Sequence, residues 1–384
     1  MGGMSDVLPP LLLINFREKM KSINNVFARP LRAATVAVSV LAGMLTVGSA
    51  FGQHLQDIAR AESPLVLQSR GSFFVGGEQV ERSATELGSF GPDDRISVNQ
   101  MYVEYMVPDG KTKVPVVMVH GATLSGKTYD TTPDGRMGWY EYFVRKSHPV
   151  YVVDQIGRAR SGFDQSVFNS VRAGKLSPDQ QPSMLRLADR FGAWTNFRFG
   201  PEPGKPFPDT QFPIEAADKL SRQSVPDLRG ASRAENPNWK GLADLALQLN
   251  GAVLLSHSQS GSYPLQSALI NAKGIRGIVM IEPGTCNAQV HTGDEIAVLA
   301  KTPIFILFGD HLASPTGMPG PTWEDRFNDC KAFKKRVDAA RGNIRLITTA
   351  ETGVRGNSHM MMMDRNNLQI ADLILEWIDE QAGR

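Results

Sequence analysis

The chain has 384 residues, 41% of them hydrophobic, so it is long enough for one large α/β domain or two ordinary ones and too apolar to be disordered. Forty-one basic side chains stand against 39 acidic ones, a net charge of +2 with no long run of either sign. This balance excludes the basic patch that recruits nucleic acid.

The N-terminal segment has the pattern of a secretory signal peptide. Basic residues between Lys19 and Arg32 precede an uncharged, mostly apolar stretch from Ala33 to Ala50 that ends in small residues. We expect residues 1–52 to be this signal, with Met20 as an alternative start, and the mature protein to be periplasmic or secreted without a stable membrane anchor. An uncleaved anchor is the alternative, because about 18 apolar residues are just enough to cross a bilayer.

Residues 53–384 alternate apolar, β-branched runs with helical patterns, which is typical of βαβ units. The predicted strands are Val114–Val119, Val150–Val153, Ala252–Leu255, Ile275–Ile281, Pro303–Phe308 and Ile344–Thr349. The predicted helices are Leu242–Leu249, Tyr263–Asn271, Glu324–Ala340 and Asn367–Gln381. This order predicts an α/β fold with a mostly parallel, doubly wound sheet, helices on both faces, and a ligand site at the carboxyl ends of the strands.

The loop after the first predicted strand has two interpretations. Gly121–Thr128 matches the G-x-x-x-x-G-K-T pattern of a phosphate-binding loop, with Asp154 as a candidate magnesium ligand. Such a loop must run into a helix whose N-terminus faces the phosphates, yet Pro133 and Gly135 would break that helix at once. The other interpretation is that His120-Gly121 opens an oxyanion loop, in which Ala122 or Thr123 donates a backbone N–H.

Residues 164–240 interrupt the alternation of strands and helices. They hold nine of the 24 prolines and show no strong periodicity. Structureless loops of this length are uncommon in compact domains unless they are functional. We therefore predict a cap or lid inserted over the site.

A candidate nucleophile, Ser258, follows the strand predicted at Ala252–Leu255. The pattern around it is small-x-Ser-x-small, with Ser256 and Ser260 at the positions where the commoner motif has glycines. Small neighbours let strand and helix approach closely while the central side chain turns outward. On this motif alone an ordinary βα turn is the alternative.

A serine hydroxyl needs a base, and the base needs a carboxylate. His359 lies between the last predicted strand and the last helix, which gives the α/β-hydrolase order of serine, acid and histidine. Two acids are candidates: Asp310, at the commonest acid position of this fold, and Glu282, at the end of the next strand after Ser258. Position alone favours Asp310. The backbone N–H of Gln259 is the expected first oxyanion donor.

With these residues in view, the chain resembles a branch of secreted bacterial serine esterases within the α/β-hydrolase superfamily. The segments that carry the resemblance are Thr131–Arg145, Val153–Arg158, Ser256–Ser260, Glu282–Gly284 and Gly356–Asn367. It implies ester hydrolysis by Ser258, His359 and Glu282, without a cofactor or metal, and it reverses the positional preference for Asp310. Some members of the branch have cysteines where this chain has Ala122 and Thr123.

Other reactions are compatible with the same candidate residues. Lactone, amide and carbon–carbon bond hydrolysis also use a serine triad, and a binding protein on a retired hydrolase scaffold is a non-enzymatic alternative. The substrate predicted here is a small-molecule ester, and no feature of the sequence indicates an oligomeric state.

The two cysteines, Cys286 and Cys330, both lie in the predicted exported part of the chain. In an oxidising compartment they could pair, and closing that loop would stabilise the fold by about 4 kcal/mol. Two free buried thiols are the alternative. Two cysteines cannot form a zinc site. We expect the run Met360–Met363 to pack around a neighbouring site rather than to bind metal.

Overall fold

A computed structural model describes residues 54–89, 91–187, 193–229 and 236–383. The predicted signal peptide, residues 1–52, lies outside the described residues and stays a prediction. In the part of the chain that is described, no helix is long and apolar enough to cross a membrane.

Strands and helices alternate through most of the described chain. The strands are β1 (Leu67–Arg82), β2 (Asp94–Pro108), β3 (Val116–Val119), β4 (Val150–Asp154), β5 (Ser183–Leu185), β6 (Asp227–Arg229), β7 (Ala252–His257), β8 (Ile275–Ile281), β9 (Ile304–Phe308) and β10 (Ile344–Thr348). The helices are α1 (Trp139–Arg145), α2 (Ser166–Arg172), α3 (Ala217–Arg222), α4 (Pro237–Gln248), α5 (Tyr263–Asn271), α6 (Gly293–Leu299), α7 (Trp323–Ala339) and α8 (Asn367–Gln381).

Eight strands form one sheet in the order β1-β2-β4-β3-β7-β8-β9-β10. The six strands from β4 to β10 along this order pair in parallel, and β1 and β2 add an antiparallel edge. The six parallel strands are those predicted from the sequence, so the mostly parallel α/β fold is confirmed. The hairpin of β1 and β2 was not predicted, because β1 is largely exposed and lacks a clean apolar alternation.

Alternate side chains of the parallel strands supply two cores. Val116 and Met118 of β3 pack in the cluster that contains α1, α8 and Met360–Met363. Val117 and Val119 pack on the other face with α4, α5, α6 and α7. The period of two along a strand therefore buries both faces of the sheet, which is the doubly wound arrangement. The methionine run is fully buried packing, as expected.

The predicted insertion, residues 164–240, contains α2, α3 and a separate two-stranded sheet of β5 and β6. Much of its described length is irregular, as its prolines indicate. Some of its aromatic residues are nevertheless buried: Phe199 stacks on Phe212 with ring centroids 3.8 Å apart, and both belong to the core cluster of α1 and α8. The segment that carries Phe199 and Phe212 is thus continuous with the main core.

Cys286 and Cys330 form a disulfide, with their Cα atoms 5.0 Å apart. The bond joins the loop that follows β8 to the middle of α7. Asp329, next to Cys330, accepts hydrogen bonds from the backbone of that same loop at Cys286, Asn287 and Ala288. The predicted pairing is confirmed, and the alternative of two free thiols is wrong.

Candidate active site

Ser258 occupies a sharp turn at the carboxyl end of β7. Its φ is +59°, a conformation that is uncommon for a residue other than glycine, and its side chain is partly exposed. Small neighbours are required here, because a Cβ on Gly261 would lie 2.5 Å from the Cα of Pro283 and one on Gly121 would lie 2.9 Å from the Cβ of Ser258. The motif thus forms a strained strand-to-helix turn.

Serine replaces glycine at Ser256 without a steric conflict. The side chain is fully buried, and its hydroxyl donates to the carbonyl of Gly261 at 3.0 Å. Ser260 Oγ likewise lies 3.2 Å from the carbonyl of Val119. These two hydroxyls tie the turn to itself and to β3, so the less common motif remains a close-packed turn.

His359 lies in the loop between β10 and α8 and is fully buried. Its Nδ1 is 3.1 Å from Oε2 of Glu282, and its Nε2 is buried with no hydrogen-bond partner among the described residues. The ring packs between Trp323 and Phe197, with centroids 4.2 and 4.9 Å away. The imidazole is therefore hydrogen-bonded through one nitrogen and packed against aromatic rings, while its other nitrogen is left unbonded.

The loop that carries His359 is fixed by a buried carboxylate, Asp364. It accepts hydrogen bonds from the backbone N–H of Ser358 at 2.8 Å, from the Ser358 hydroxyl at 2.6 Å and from the Asn357 amide at 2.9 Å. Burial raises the pKa of Asp364 to about 6 even though these bonds oppose the shift. The bonds place the loop backbone directly before His359.

Glu282 follows β8 with a φ of +49° and is completely buried. Its two carboxylate oxygens have different partners. Oε1 accepts from the guanidinium of Arg198 at 2.6 Å and from the backbone N–H of Gly309, whereas Oε2 faces His359. The carboxylate plane is thereby fixed relative to the imidazole.

The electrostatics favour a charged glutamate beside a neutral histidine. Burial alone would raise the pKa of Glu282, but the charge of Arg198 and the hydrogen bond from His359 outweigh it and lower that pKa to about 2. Burial lowers the pKa of His359 to about 4, although Glu282 opposes the shift. At neutral pH the imidazole therefore carries one proton, and Nδ1–H donating to Glu282 leaves Nε2 as a free acceptor.

Asp310, the acid favoured by position alone, forms no hydrogen bond or ion pair with His359 in the described structure. Its carboxylate accepts from the backbone N–H of His311 at 2.9 Å and of Gly356 at 3.3 Å. Its own N–H donates to the carbonyl of Asn357 at 2.9 Å. Asp310 thus stabilises the start of the histidine loop, and the structure brings Glu282, not Asp310, to the imidazole.

No direct hydrogen bond joins Ser258 to His359 in the described structure, since the Nε2 of His359 has no partner. The ring of His257, the residue before Ser258, lies 4.6 Å from the ring of His359, and His257 Nε2 donates to the carbonyl of His359 at 3.0 Å. In enzymes without bound substrate such contacts are often long and tighten only when the substrate binds.

The predicted oxyanion loop lies beside Ser258. The N–H of Thr123 donates to Oδ2 of Asp227 at 3.1 Å, so this group is already used. Gln259 is in the first turn of a helical segment that begins at Ser258, where backbone N–H groups lack intrahelical partners. Of the two candidates for the second donor, Thr123 is engaged elsewhere, which favours Ala122.

His120 fixes the start of this loop. Its Nε2 accepts from the backbone N–H of Gln155 at 3.0 Å, so its Nδ1–H donates to the carbonyl of Gly121 at 2.9 Å. Burial lowers its pKa to about 4, which keeps the ring in this neutral tautomer. His120 therefore links the backbone at the end of β3 to the backbone after β4.

The segment Gly121–Thr128 does not form a phosphate-binding loop. The end of the segment runs into a 3-10 helix of only four residues, from Gly126 to Tyr129, and not into an α-helix. The N–H of Gly126 is bonded to the carboxylate of Asp154 at 2.7 Å, and Asp154 is paired with Arg160 at 2.6 Å. A carboxylate thus occupies the place where a phosphate would have to bind.

One group of side chains near the site has metal-ligand chemistry within the described residues, namely Asp209, Asp310 and His311. Two of its members already bond to each other: His311 Nε2 donates to Asp209 at 2.9 Å, and the His311 ring stacks on Phe207 at 3.7 Å. Asp310 is committed to backbone N–H groups, as described above. The cluster therefore serves as a structural contact between the insertion and the loop after β9.

Sequence reasoning missed two buried charges, Arg198 and Asp227, both from the insertion. Each contacts a predicted site residue directly, at Glu282 and at Thr123. It also missed Trp323, the first residue of α7, which covers one face of His359. An isolated arginine or aspartate in an irregular segment carries no periodic signal, and only the contact across 84 residues of sequence reveals the role of Arg198.

Comparisons with known proteins show which family the chain belongs to. No family model matches the chain. A novel bacterial esterase solved at atomic resolution is 43% identical, with a TM-score of 0.78, over 84% of this chain and 99% of that one. A probable secreted lipase, phiG, of a fungal species (strain ATCC 74256) is 26% identical over 327 residues, or 73% of this chain and 86% of the relative. The chain belongs to the same esterase family as that bacterial protein, on the α/β-hydrolase fold.

Proposed function

We propose that the protein is a carboxylic-ester hydrolase that acts through Ser258, His359 and Glu282 by way of an acyl-enzyme. Membership of an esterase family supports ester hydrolysis. The observation that carries the proposed triad is the 3.1 Å contact between His359 Nδ1 and Glu282 Oε2, which leaves the Nε2 of His359 unbonded. The ring of His257, the residue before Ser258, lies 4.6 Å from the His359 ring.

In the first step the Oγ of Ser258 attacks the ester carbonyl while His359 Nε2 accepts its proton. The N–H groups of Gln259 and Ala122 stabilise the oxyanion of the tetrahedral intermediate. Glu282 holds the imidazole in the reactive tautomer and stabilises its positive charge. The intermediate collapses when His359 donates the proton it took from Ser258 to the leaving alcohol.

In the second step water attacks the acyl-enzyme, with His359 again as the base. The second tetrahedral intermediate collapses, the carboxylic acid leaves, and Ser258 regains its proton. The neutral state of His359 at physiological pH supports both steps, because its pKa of about 4 keeps Nε2 able to accept a proton.

The test is removal of the nucleophile. Ser258→Ala should lower kcat for p-nitrophenyl butyrate by about 10⁴ to 10⁶, and it should abolish covalent labelling by a fluorophosphonate probe. Ser262→Ala is a matched control in the same turn, since the Ser262 side chain makes no capping hydrogen bond. Ester hydrolysis within tenfold of wild type in Ser258→Ala would show that another group is the nucleophile.

We infer further that the protein is exported, to the periplasm or to the medium. The signal pattern in residues 1–52, the Cys286–Cys330 disulfide and the relative described as a secreted lipase support this. The test is N-terminal sequencing of protein recovered outside the cytoplasm, which should begin near Ala50–Gln53. Recovery of the full chain in a membrane fraction would favour the uncleaved anchor.

A further inference from the structure

We propose that the insertion is a fixed part of the catalytic centre rather than a mobile lid, and that Arg198 orients the triad glutamate while Asp227, with Arg158, positions the oxyanion loop. This inference rests on the proposed function, since it assigns positioning residues to the same triad. It concerns the described parts of the insertion, residues 164–187, 193–229 and 236–240.

The first anchor is Arg198 on Glu282. Both side chains have zero exposure, and Nη2 of Arg198 donates to Oε1 of Glu282 at 2.6 Å. Nε of the same guanidinium donates to the carbonyl of Asp310 at 2.7 Å. Arg198 has a φ of +59° and therefore sits in a conformation that its surroundings must impose. It occupies one carboxylate oxygen and leaves the other to His359.

Loss of this anchor would leave a carboxylate buried without its counter-charge. Burial disfavours the charged form of Glu282, and the charge of Arg198 is the largest influence that opposes burial. Lifting residues near Arg198 away from the core would therefore require either water or a proton to replace the guanidinium. A segment that opened in each catalytic cycle would have to repeat this desolvation each time.

The second anchor is the backbone of the insertion on the histidine loop. The carbonyl of Phe197, adjacent to Arg198, accepts from the backbone N–H of His359 at 2.9 Å. The N–H of Gln211 donates to the carbonyl of Gly356 at 2.8 Å. Gly356 has a φ of +76°, and a Cβ there would lie 1.7 Å from the carbonyl oxygen of Asp209. The two backbones thus pack in direct contact.

The third anchor is Asp227 on the oxyanion loop. Its Oδ2 accepts the N–H of Thr123 at 3.1 Å, and its Oδ1 pairs with Nη2 of Arg158 at 2.5 Å, with both side chains nearly fully buried. Nη1 of Arg158 donates to the carbonyl of Gly121 at 3.3 Å. The ion pair therefore holds Gly121 and Thr123, the residues on either side of the proposed donor Ala122.

A neighbouring backbone contact completes this anchor. The N–H of Val225, two residues before Asp227, donates to the carbonyl of Thr123 at 2.7 Å. Thr123 has a φ of +59°, so its conformation is one that the flanking bonds must maintain. Ser258 is partly exposed and Gln259 is exposed in this arrangement, so the nucleophile can be reached without displacing the anchored segments.

The experiment compares three variants, Arg198→Met, Arg198→Lys and Asp227→Asn, with two controls on exposed residues of the insertion, Arg172→Met and Asp179→Asn. Steady-state hydrolysis of p-nitrophenyl butyrate is measured from pH 3 to 9, on the full secreted protein, with thermal melting as a check on folding. We expect Arg198→Met to lower kcat by about 10² through misplacement of the triad. Asp227→Asn should lower kcat by about 10 to 10², less than removal of an oxyanion donor.

The pH profile separates positioning from a merely structural role. The charged and titratable groups that face His359 are Glu282 from the end of β8, Arg198 from the insertion, Arg326 from α7 and His257 from β7. Without Arg198, either Glu282 or His359 takes up a proton at higher pH, so the acid limb of the kcat/KM profile shifts to higher pH in both cases. Arg198→Lys keeps the charge and should restore the limb, while Asp227→Asn should leave it unchanged.

Hydrogen exchange of the wild-type protein keeps the proposal testable if a variant fails to fold. Peptides covering residues 193–200 and 223–229 should be protected to the same degree as β7 and β8, whereas a lid would exchange far faster. Fast exchange there, or wild-type kcat and acid limb in Arg198→Met and Asp227→Asn, would overturn the inference. If Ser258→Ala loses fluorophosphonate labelling while the Arg198 and Asp227 variants keep wild-type kcat and acid limb, this inference alone is refuted. If Ser258→Ala retains ester hydrolysis, the proposed function is refuted.

Discussion

The ends of β8 and β9 are neighbouring regions that each carry a carboxylate, but the two carboxylates make different contacts. Each strand ends at the carboxyl edge of the sheet, and each is followed within two residues by a carboxylate, Glu282 or Asp310. Glu282 turns back with a φ of +49° and meets His359. Asp310 instead bonds to the backbone N–H groups of His311 and Gly356.

The difference shows that position in the strand order selects candidates, whereas local backbone geometry and burial select between them. Glu282 has an arginine and a backbone N–H on one oxygen, which compensate its burial. Asp310 supports the loop that carries the histidine. The two carboxylates thus contribute to the same site: Glu282 contacts the imidazole directly, and Asp310 bonds to the backbone N–H of Gly356 in the loop that carries His359.

The largest expected effect comes from removing the negative charge of Glu282 and, for comparison, that of Asp310. Glu282→Gln should lower kcat by on the order of 10⁴, as for a lost triad carboxylate, because the amide can no longer stabilise the imidazolium. Asp310→Asn should lower kcat much less and cost about 1 kcal/mol of unfolding free energy through a weakened hydrogen bond. Kinetics and chemical denaturation of both variants check this, and the reverse ranking would make Asp310 the acid.

An intermediate effect is expected at Gly309, which follows β9 but donates its N–H to Glu282. A Cβ there would lie 2.5 Å from the carbonyl oxygen of Asn357 and 3.1 Å from Oε1 of Glu282. Gly309→Ala should therefore displace both the acid and the histidine loop and lower kcat by about 10². Gly293→Ala is the matched control, because a Cβ there meets nothing within 4 Å. Equal activity in the two variants would contradict the shared geometry.

The smallest effect is expected from pH. His359 has a pKa of about 4, so its neutral form persists to mildly acidic pH and kcat/KM should fall only as the pH drops through about 4. Below that point the imidazolium cannot accept the proton of Ser258, while Glu282, with a pKa of about 2, stays charged. Asp310→Asn should keep the same limb, since Asp310 does not face the ring.

A control is needed because the unfolded chain binds protons on its histidines at higher pH than the folded protein, so stability also declines in acid. Activity measured after return to neutral pH separates reversible protonation of His359 from unfolding. A limb near pH 6.5 would mean that the histidine is solvated rather than buried.

The parallel strands and the helices α5, α7 and α8 were predictable because continuous apolar runs and a period of 3.6 residues survive in the sequence. The start of α4 was placed too late, although Asn236 caps it and Pro237 occupies its first turn. The antiparallel edge of β1 and β2 was missed because an exposed strand needs little apolar patterning.

For the candidate site, the turn at Ser258 and the position of His359 between β10 and α8 were predictable from their motifs, while the choice of Glu282 came from family resemblance and not from spacing. The partners that fix the geometry were not predictable. Arg198 and Asp227 act through contacts 84 and 104 residues away in sequence, and nothing local distinguishes them from solvated charges.

The backbone at Ser258 and at Glu282 carries a further implication. Both residues hold positive φ angles that glycine would adopt freely, and each such position costs about 1–3 kcal/mol. On the proposed mechanism, reactivity and thermodynamic stability therefore place opposing demands on these two positions. A change to glycine would relax the main chain while deleting the proposed attacking oxygen or the proposed counter-ion. A search for heat-resistant forms of this enzyme should expect such substitutions to give well-folded but inert proteins.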